Sequence, residues 1–151
     1  MRLSQLLTPA QILLDFQAPD KWDAIRQMSA VLVELGGIVP EAATTALIAR
    51  EDSMTTGMEN GVAIPHAALD GLSRLLAVVA LVPEEGIDFA SVDGQPARIL
   101  VCLLIPKSAK LQHIRTLAGI AKVLSQAEVR EKLLASSGTE EVLDVIRAGE
   151  R

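Results

Sequence analysis

Trp22, Ile25, Met28, Ser29, Leu32 and Leu35 recur at the three- and four-residue spacing of one helix face. Asp20 stands where an N-cap belongs and Gly36-Gly37 supplies a stop, so the spacing predicts an amphipathic helix over 20–36. A second helix is expected to open with Pro40 at its first position and to run to about residue 52, with Ala43, Leu47 and Arg50 stacked along one side. Residues 55–65 then carry Gly57, Asn60, Gly61 and Pro65, a density of turn formers that breaks a helix and predicts a loop with a short strand at 62–64. The continuous apolar runs 76–82 and 99–105 read as strands covered on both faces, with a short strand at 87–89 and a turn at Val92-Asp93-Gly94 between them. From 109 to 125, Leu111, Ile114, Leu117, Ala121 and Leu124 form another helical stripe. Ser125 with Glu128 matches a capping box for the next helix, and 139–146 predicts a last short one, ended near Gly149. The expected class is α/β (α+β): a single domain over 1–151, a mixed β-sheet with helices packed on both faces.

The chain has 151 residues, half of them apolar, enough for one sizeable core and too few to require a second. A net charge of −5 argues against a nucleic-acid groove or an anionic membrane surface, which need clustered Lys and Arg. The longest apolar runs fall far short of the ~20 residues of a spanning helix, and the N-terminus lacks the apolar stretch and cleavage site of a secretory signal. The one cysteine, Cys102, cannot close an internal disulfide and sits inside an apolar strand, where it reads as a small buried hydrophobe. These features together predict a cytoplasmic protein without membrane insertion.

Groups that titrate near neutrality are scarce: two histidines, His66 and His113, and no tyrosine. His66 follows Gly61-Val62-Ala63-Ile64-Pro65, so its ring stands at a strand end after a residue of fixed φ. On pattern alone such a histidine is more often structural or solvent-facing than chemical. Arg50, near a helix C-terminus, reads as a solvated partner of the helix dipole. Glu51 and Asp52 read as surface charges able to orient Arg50 by pairing with it. Thr55 and Thr56 read as turn shapers, and His113 as a flank of the stripe through Leu117, Ile120 and Leu124.

Order and spacing change that picture. The segment ARED at 49–52 followed by TTGMENGVAIPHAAL at 55–69 resembles the active-site signature of type-2 enzyme IIA domains of the bacterial phosphotransferase system, the fructose, mannitol and nitrogen-regulatory group. The likeness continues through Ile87-Asp88-Phe89, Val92-Asp93-Gly94-Gln95-Pro96, the Leu-Ile-Pro at 104–106 and His113 with Thr116-Leu117. It departs at Ala67, where the family usually has glycine and where the added methyl is expected to narrow partner approach, and it matches loosely over 107–110.

The resemblance implies a phosphocarrier that accepts a phosphoryl group on His66 from a phosphohistidine carrier of the HPr type. It passes the group to an enzyme IIB or uses it as a regulatory signal, with the nitrogen type favoured because neither a IIB nor a membrane segment is attached. His113 and Arg50 are its implied companions, and Thr56, Gly57, Asn60 and Glu51 the implied neighbours of the phosphate. No cofactor is expected. The alternative is a non-catalytic regulatory or metal-binding module using His66 and His113, although two histidines and one buried cysteine make no recognised zinc spacing. The uncharged residues Val62, Ile64, Ala67, Ala68 and Leu69 are expected to form the partner-facing surface around His66.

Overall fold

The computed structural model describes residues 1–151. Its elements in chain order are α1 (Leu3–Leu6), β1 (Ile12–Leu13), α2 (Lys21–Gly36), α3 (Pro40–Ser53), β2 (Val62–Ala63), β3 (His66–Leu69), β4 (Leu76–Leu81), β5 (Ile99–Pro106), α4 (Lys110–Leu124), α5 (Ala127–Ala135) and α6 (Thr139–Gly149). The five strands make one mixed sheet. β1 pairs parallel with β4, β4 antiparallel with β5, and β5 parallel with both β2 and β3. β2 and β3 are thus two pieces of one edge, interrupted at Ile64-Pro65. The interruption remains anchored, because Leu103 N–H donates to the Pro65 carbonyl at 2.9 Å.

Alternation along the strands divides the core in two. Ala77, Val79, Val101, Leu103 and Ile105 face a cluster completed by α1, α4, α5 and α6, whereas Leu76, Val78, Ala80, Leu100, Cys102 and Leu104 face one completed by α2 and α3. Every residue of β4 and β5 is buried, as expected of strands sandwiched between helices. The predicted fold class therefore stands, and so do the two central strands and the helices at 20–36, 40–52 and 109–125, to within a residue or two. Asp20 caps α2 by accepting from Asp23 N–H at 2.8 Å, and Gly37 ends it at φ 61, where a side chain would be strained.

Two local expectations need correction. Ser125 and Glu128 form no capping box: the Ser125 hydroxyl donates back to the Lys122 carbonyl at 2.6 Å, and Gln126 is the residue that precedes α5. The segment 87–89 contributes one bridge, Ile87 to Ala97, rather than a strand. The last helix ends at Gly149, as expected. β1 and β3 carry no periodic pattern long enough to have been read from the chain.

Candidate functional site

The interrupted edge fixes His66. Its ring nitrogen Nδ1 lies 2.8 Å from the Ile64 carbonyl oxygen, and because a carbonyl can only accept, Nδ1 carries the proton and Nε2 keeps its lone pair. Burial lowers the histidine's pKa below its ordinary value. The Ile64 bond opposes that shift, Arg50 adds to it and Glu51 again opposes it. The ring is therefore neutral at neutral pH, with one unprotonated nitrogen in a known tautomer. In the register of β3 with β5, His66 pairs with Leu103, so its side chain leaves the sheet on the α4 side, while Ala67 pairs with Leu104 and points to the α2 and α3 side.

This alternation corrects two expectations. The Ala67 methyl is buried in the core on the far face and cannot narrow access to the ring. Val62 and Ile64 are also buried, and of the five residues expected around His66 only Ala68 and Leu69 reach solvent, each partly.

Arg50 and Glu51 diverge at the end of α3. Arg50 is half-buried and donates from its guanidinium to the Met54 carbonyl at 2.7 Å, which satisfies a helix-end acceptor and holds the cation beside the loop. Glu51, expected as a surface charge pairing with Arg50, is instead only 2% exposed and turned inward. It accepts from Thr56 N–H at 2.9 Å, from the Thr56 hydroxyl, and from Lys21 Nζ at 3.2 Å. A buried carboxylate persists only with such partners.

The loop after α3 is fastened at several points. The Thr55 hydroxyl donates to the Phe89 carbonyl and accepts from Gly57 N–H at 3.0 Å. Gly57 bridges Ala63, and a Cβ on it would come within 2.5 Å of Ser91 Oγ, which is why the position is glycine. Asn60 adopts φ 63 and its N–H donates to the Asp93 carboxylate at 2.9 Å, so its observed work is to turn the chain into β2.

His113 lies in the first turn of α4, 9% exposed, in line with the buried Thr116 and Ile120 on the face turned to the sheet. Its Nδ1 is buried and has no hydrogen-bond partner. Two residues before it and one after, the same turn exposes Leu111 and Ile114, which are 83% and 49% exposed. Cys102 is fully buried and burial pushes its thiol pKa up, so it is no nucleophile. No three His, Cys, Asp or Glu side chains gather where they could hold a metal ion, and no helix is long and apolar enough to cross a membrane. Lys21 had no signal in the sequence, since its partner Glu51 lies 30 residues away.

Comparison with known proteins converges on one family. The family model described as "Phosphoenolpyruvate-dependent sugar phosphotransferase system, EIIA 2" matches residues 5–149. A nitrogen regulatory protein of Bradyrhizobium diazoefficiens is 34% identical over 146 residues, covering 97% of this chain and 95% of that protein. A fructose-specific EIIA component of Haloferax volcanii is 34% identical over 142 residues, covering 93% and 92%. The crystal structure of the nitrogen regulatory protein IIA-Ntr of Neisseria meningitidis superposes with a TM-score of 0.90 at 28% identity, covering 95% of this chain and 98% of that one.

Proposed function

Because the chain belongs to the EIIA type 2 family of the phosphoenolpyruvate-dependent phosphotransferase system, we propose that it is a cytoplasmic phosphocarrier whose His66 accepts a phosphoryl group from an HPr-type phosphohistidine carrier and releases it to a partner. The observation that carries this reading is the 2.8 Å contact between His66 Nδ1 and the Ile64 carbonyl, which leaves Nε2 as the attacking atom. Nε2 forms a bond to phosphorus as the donor's N–P bond breaks, and the donor imidazole departs with that electron pair. The Nδ1 proton stays in place throughout, held by the carbonyl as the ring becomes cationic. Transfer of this kind asks the protein for position and for donors around the phosphoryl oxygens. Arg50, close enough for its charge to act on His66, supplies one.

His113 is the second donor in this reading, and two rulers support its approach to His66. Ala121 and Leu124 share a surface depression with Val62, which pairs with Ile99. Eight residues back along α4, His113 lies about 12 Å nearer the C-terminal end of β5. Leu103, the partner of His66, is four residues beyond Ile99, about 13 Å in the same direction. Both side chains leave their elements into the space between α4 and the sheet. The exposed Leu111 and Ile114 then offer a transient partner an apolar rim, in place of the strand residues expected to do so.

The regulatory, nitrogen-type role is favoured over sugar transport on the likeness to IIA-Ntr. In that role the phosphorylated and free forms bind different protein targets, and in a transport role the acceptor is an enzyme IIB. The test is to incubate the protein with phosphoenolpyruvate and the general carriers and to look for an acid-labile, base-stable phosphate. His66→Ala should take up none while keeping its circular dichroism and melting temperature, since a partly exposed ring adds little to the core. Normal labelling of that variant would remove the assignment.

A further inference from the structure

A continuous chain of hydrogen bonds runs from the start of α2 to the His66 ring. Lys21 Nζ donates to Glu51 at 3.2 Å; Thr56 N–H donates to the same carboxylate at 2.9 Å; Ile64 N–H donates to the Thr56 carbonyl at 3.2 Å; and the Ile64 carbonyl accepts from His66 Nδ1 at 2.8 Å. Every link is at least partly shielded from water. The Lys21 side chain is 15% exposed and that of Glu51 only 1%, and Nζ also stands 4.8 Å from the centre of the Trp22 ring. Lys21 is the one cation paired with Glu51, since Arg50 turns the other way to Met54.

We propose that Lys21 and Glu51 are positioning residues for the phosphoryl site, acting together through Thr56 and Ile64 to hold the His66 ring and to keep the buried carboxylate from repelling an incoming phosphate. The proposal rests on the reading that His66 is phosphorylated. Two physical demands motivate it. A carboxylate this buried, near enough for its charge to reach His66, would oppose the arrival of a dianionic group unless a cation neutralised it. And the Ile64 carbonyl that fixes the tautomer stands at a break in the sheet edge, where the adjoining Ile64 N–H is held by Thr56 rather than by β5. Lys21 meets the first demand and, by clamping Glu51 onto Thr56, the second. The ordinary alternative is that the pair only ties α2 to α3, and that role would leave the chemistry of His66 unmoved.

The experiment measures two quantities on the same proteins: the His66 imidazole titration by NMR and the rate of phosphoryl uptake from the carriers. In Lys21→Met the uncompensated carboxylate should raise the His66 pKa, and uptake should fall on the order of ten- to a hundredfold. Glu51→Gln, which keeps an acceptor for Thr56, should lower the His66 pKa, and Lys21→Arg should retain both wild-type values. The double variant Lys21→Met, Glu51→Gln should recover most of the lost uptake. Should Lys21→Met not fold, the direction of the titration in Glu51→Gln decides. A His66 titration that stays at its wild-type position in Glu51→Gln overturns the proposal. Wild-type protein that takes up no phosphate would overturn the phosphocarrier reading instead, while the titrations would still report whether the chain of bonds acts on His66.

Discussion

The two faces of the sheet bury similar apolar clusters, 21 residues under α1, α4, α5 and α6 and 19 under α2 and α3, yet two buried polar side chains near His66, Glu51 on one face and His113 on the other, are treated in opposite ways. On the α2 and α3 face Ser29 meets Thr44 at 2.9 Å, and Glu51 has Lys21 and both donors of Thr56. On the α4 face His113 is buried with Nδ1 unpaired, beneath a helix turn that exposes leucine and isoleucine. A satisfied network makes a rigid frame, whereas an orphaned donor or acceptor costs stability that only a function recovers. Glu51 therefore belongs to a satisfied frame, whereas His113 Nδ1 is left free for the phosphoryl group and partner of the proposed function.

The sharpest way to break this contrast is to remove one polar group from each face and compare stability. Glu51→Ala strands Lys21 and the Thr56 donors, and should cost about 3 kcal/mol, or roughly 10 °C in melting temperature for a domain of this size. His113→Leu keeps the volume and deletes the orphan nitrogen, so stability should change by less than about 1 kcal/mol while phosphoryl transfer suffers. Denaturant titration of both variants beside the wild type decides it. If His113→Leu is the more damaging to the fold, the two faces are not divided in this way.

The pH dependence sharpens the contrast at its junction, His66. The folded protein holds this ring's pKa below the ordinary 6.5, first through burial. A lowered folded value means that stability from the neutral ring is complete above the unfolded pKa and is lost as pH falls through the folded one. The Nε2 lone pair, the nucleophile of the proposed function, follows the same curve. Phosphoryl uptake should thus stay level as pH is lowered to about 6.5, where an unperturbed imidazole would already be half protonated, and decline only beneath it. A midpoint at or above that value would mean that burial does not control the ring.

Much of this division is legible in the sequence, and its gaps have physical causes. Helical spacing and the runs at 76–82 and 99–105 define the layers, because burial on one or two faces leaves a periodic mark. The candidate site is legible through the likeness of Arg50, Thr56, Gly57 and His66, in order and spacing, to the type-2 enzyme IIA signature, since each of these residues read alone has an ordinary structural role. Nothing marks Lys21 as a partner of Glu51, for a salt bridge across 30 residues has no period. Nor does a one-residue step in a four-residue strand reveal that Ala67 points away from its neighbours, since strand β3 is too short to show alternation. The burial of Val62, Ile64 and Ala67, expected at a partner-facing surface, has the same cause: closeness in sequence to His66 is not closeness in space.

Ala68 is where that lesson can be tested at the smallest scale. In register with Ile105, it leaves the sheet on the same side as His66, two residues and about 7 Å along the strand. It is only partly exposed, so a larger side chain can reach water from it. A carboxylate introduced by Ala68→Glu would meet the incoming dianion across a largely aqueous gap, where Coulomb's law with the dielectric of water gives about 1 kcal/mol. Uptake should therefore slow by about fivefold at low ionic strength. Because the screening length shortens from about 10 Å at 0.1 M salt to about 3 Å at 1 M, most of the deficit should vanish at high salt. The equivalent change at Ala67 buries the new charge among α2 and α3 and should show as lost stability with no salt recovery. An Ala68→Glu deficit that persists in 1 M salt would point to steric blocking of the partner, and an Ala67→Glu protein that stays folded with a salt-sensitive rate would place the two side chains on the wrong faces.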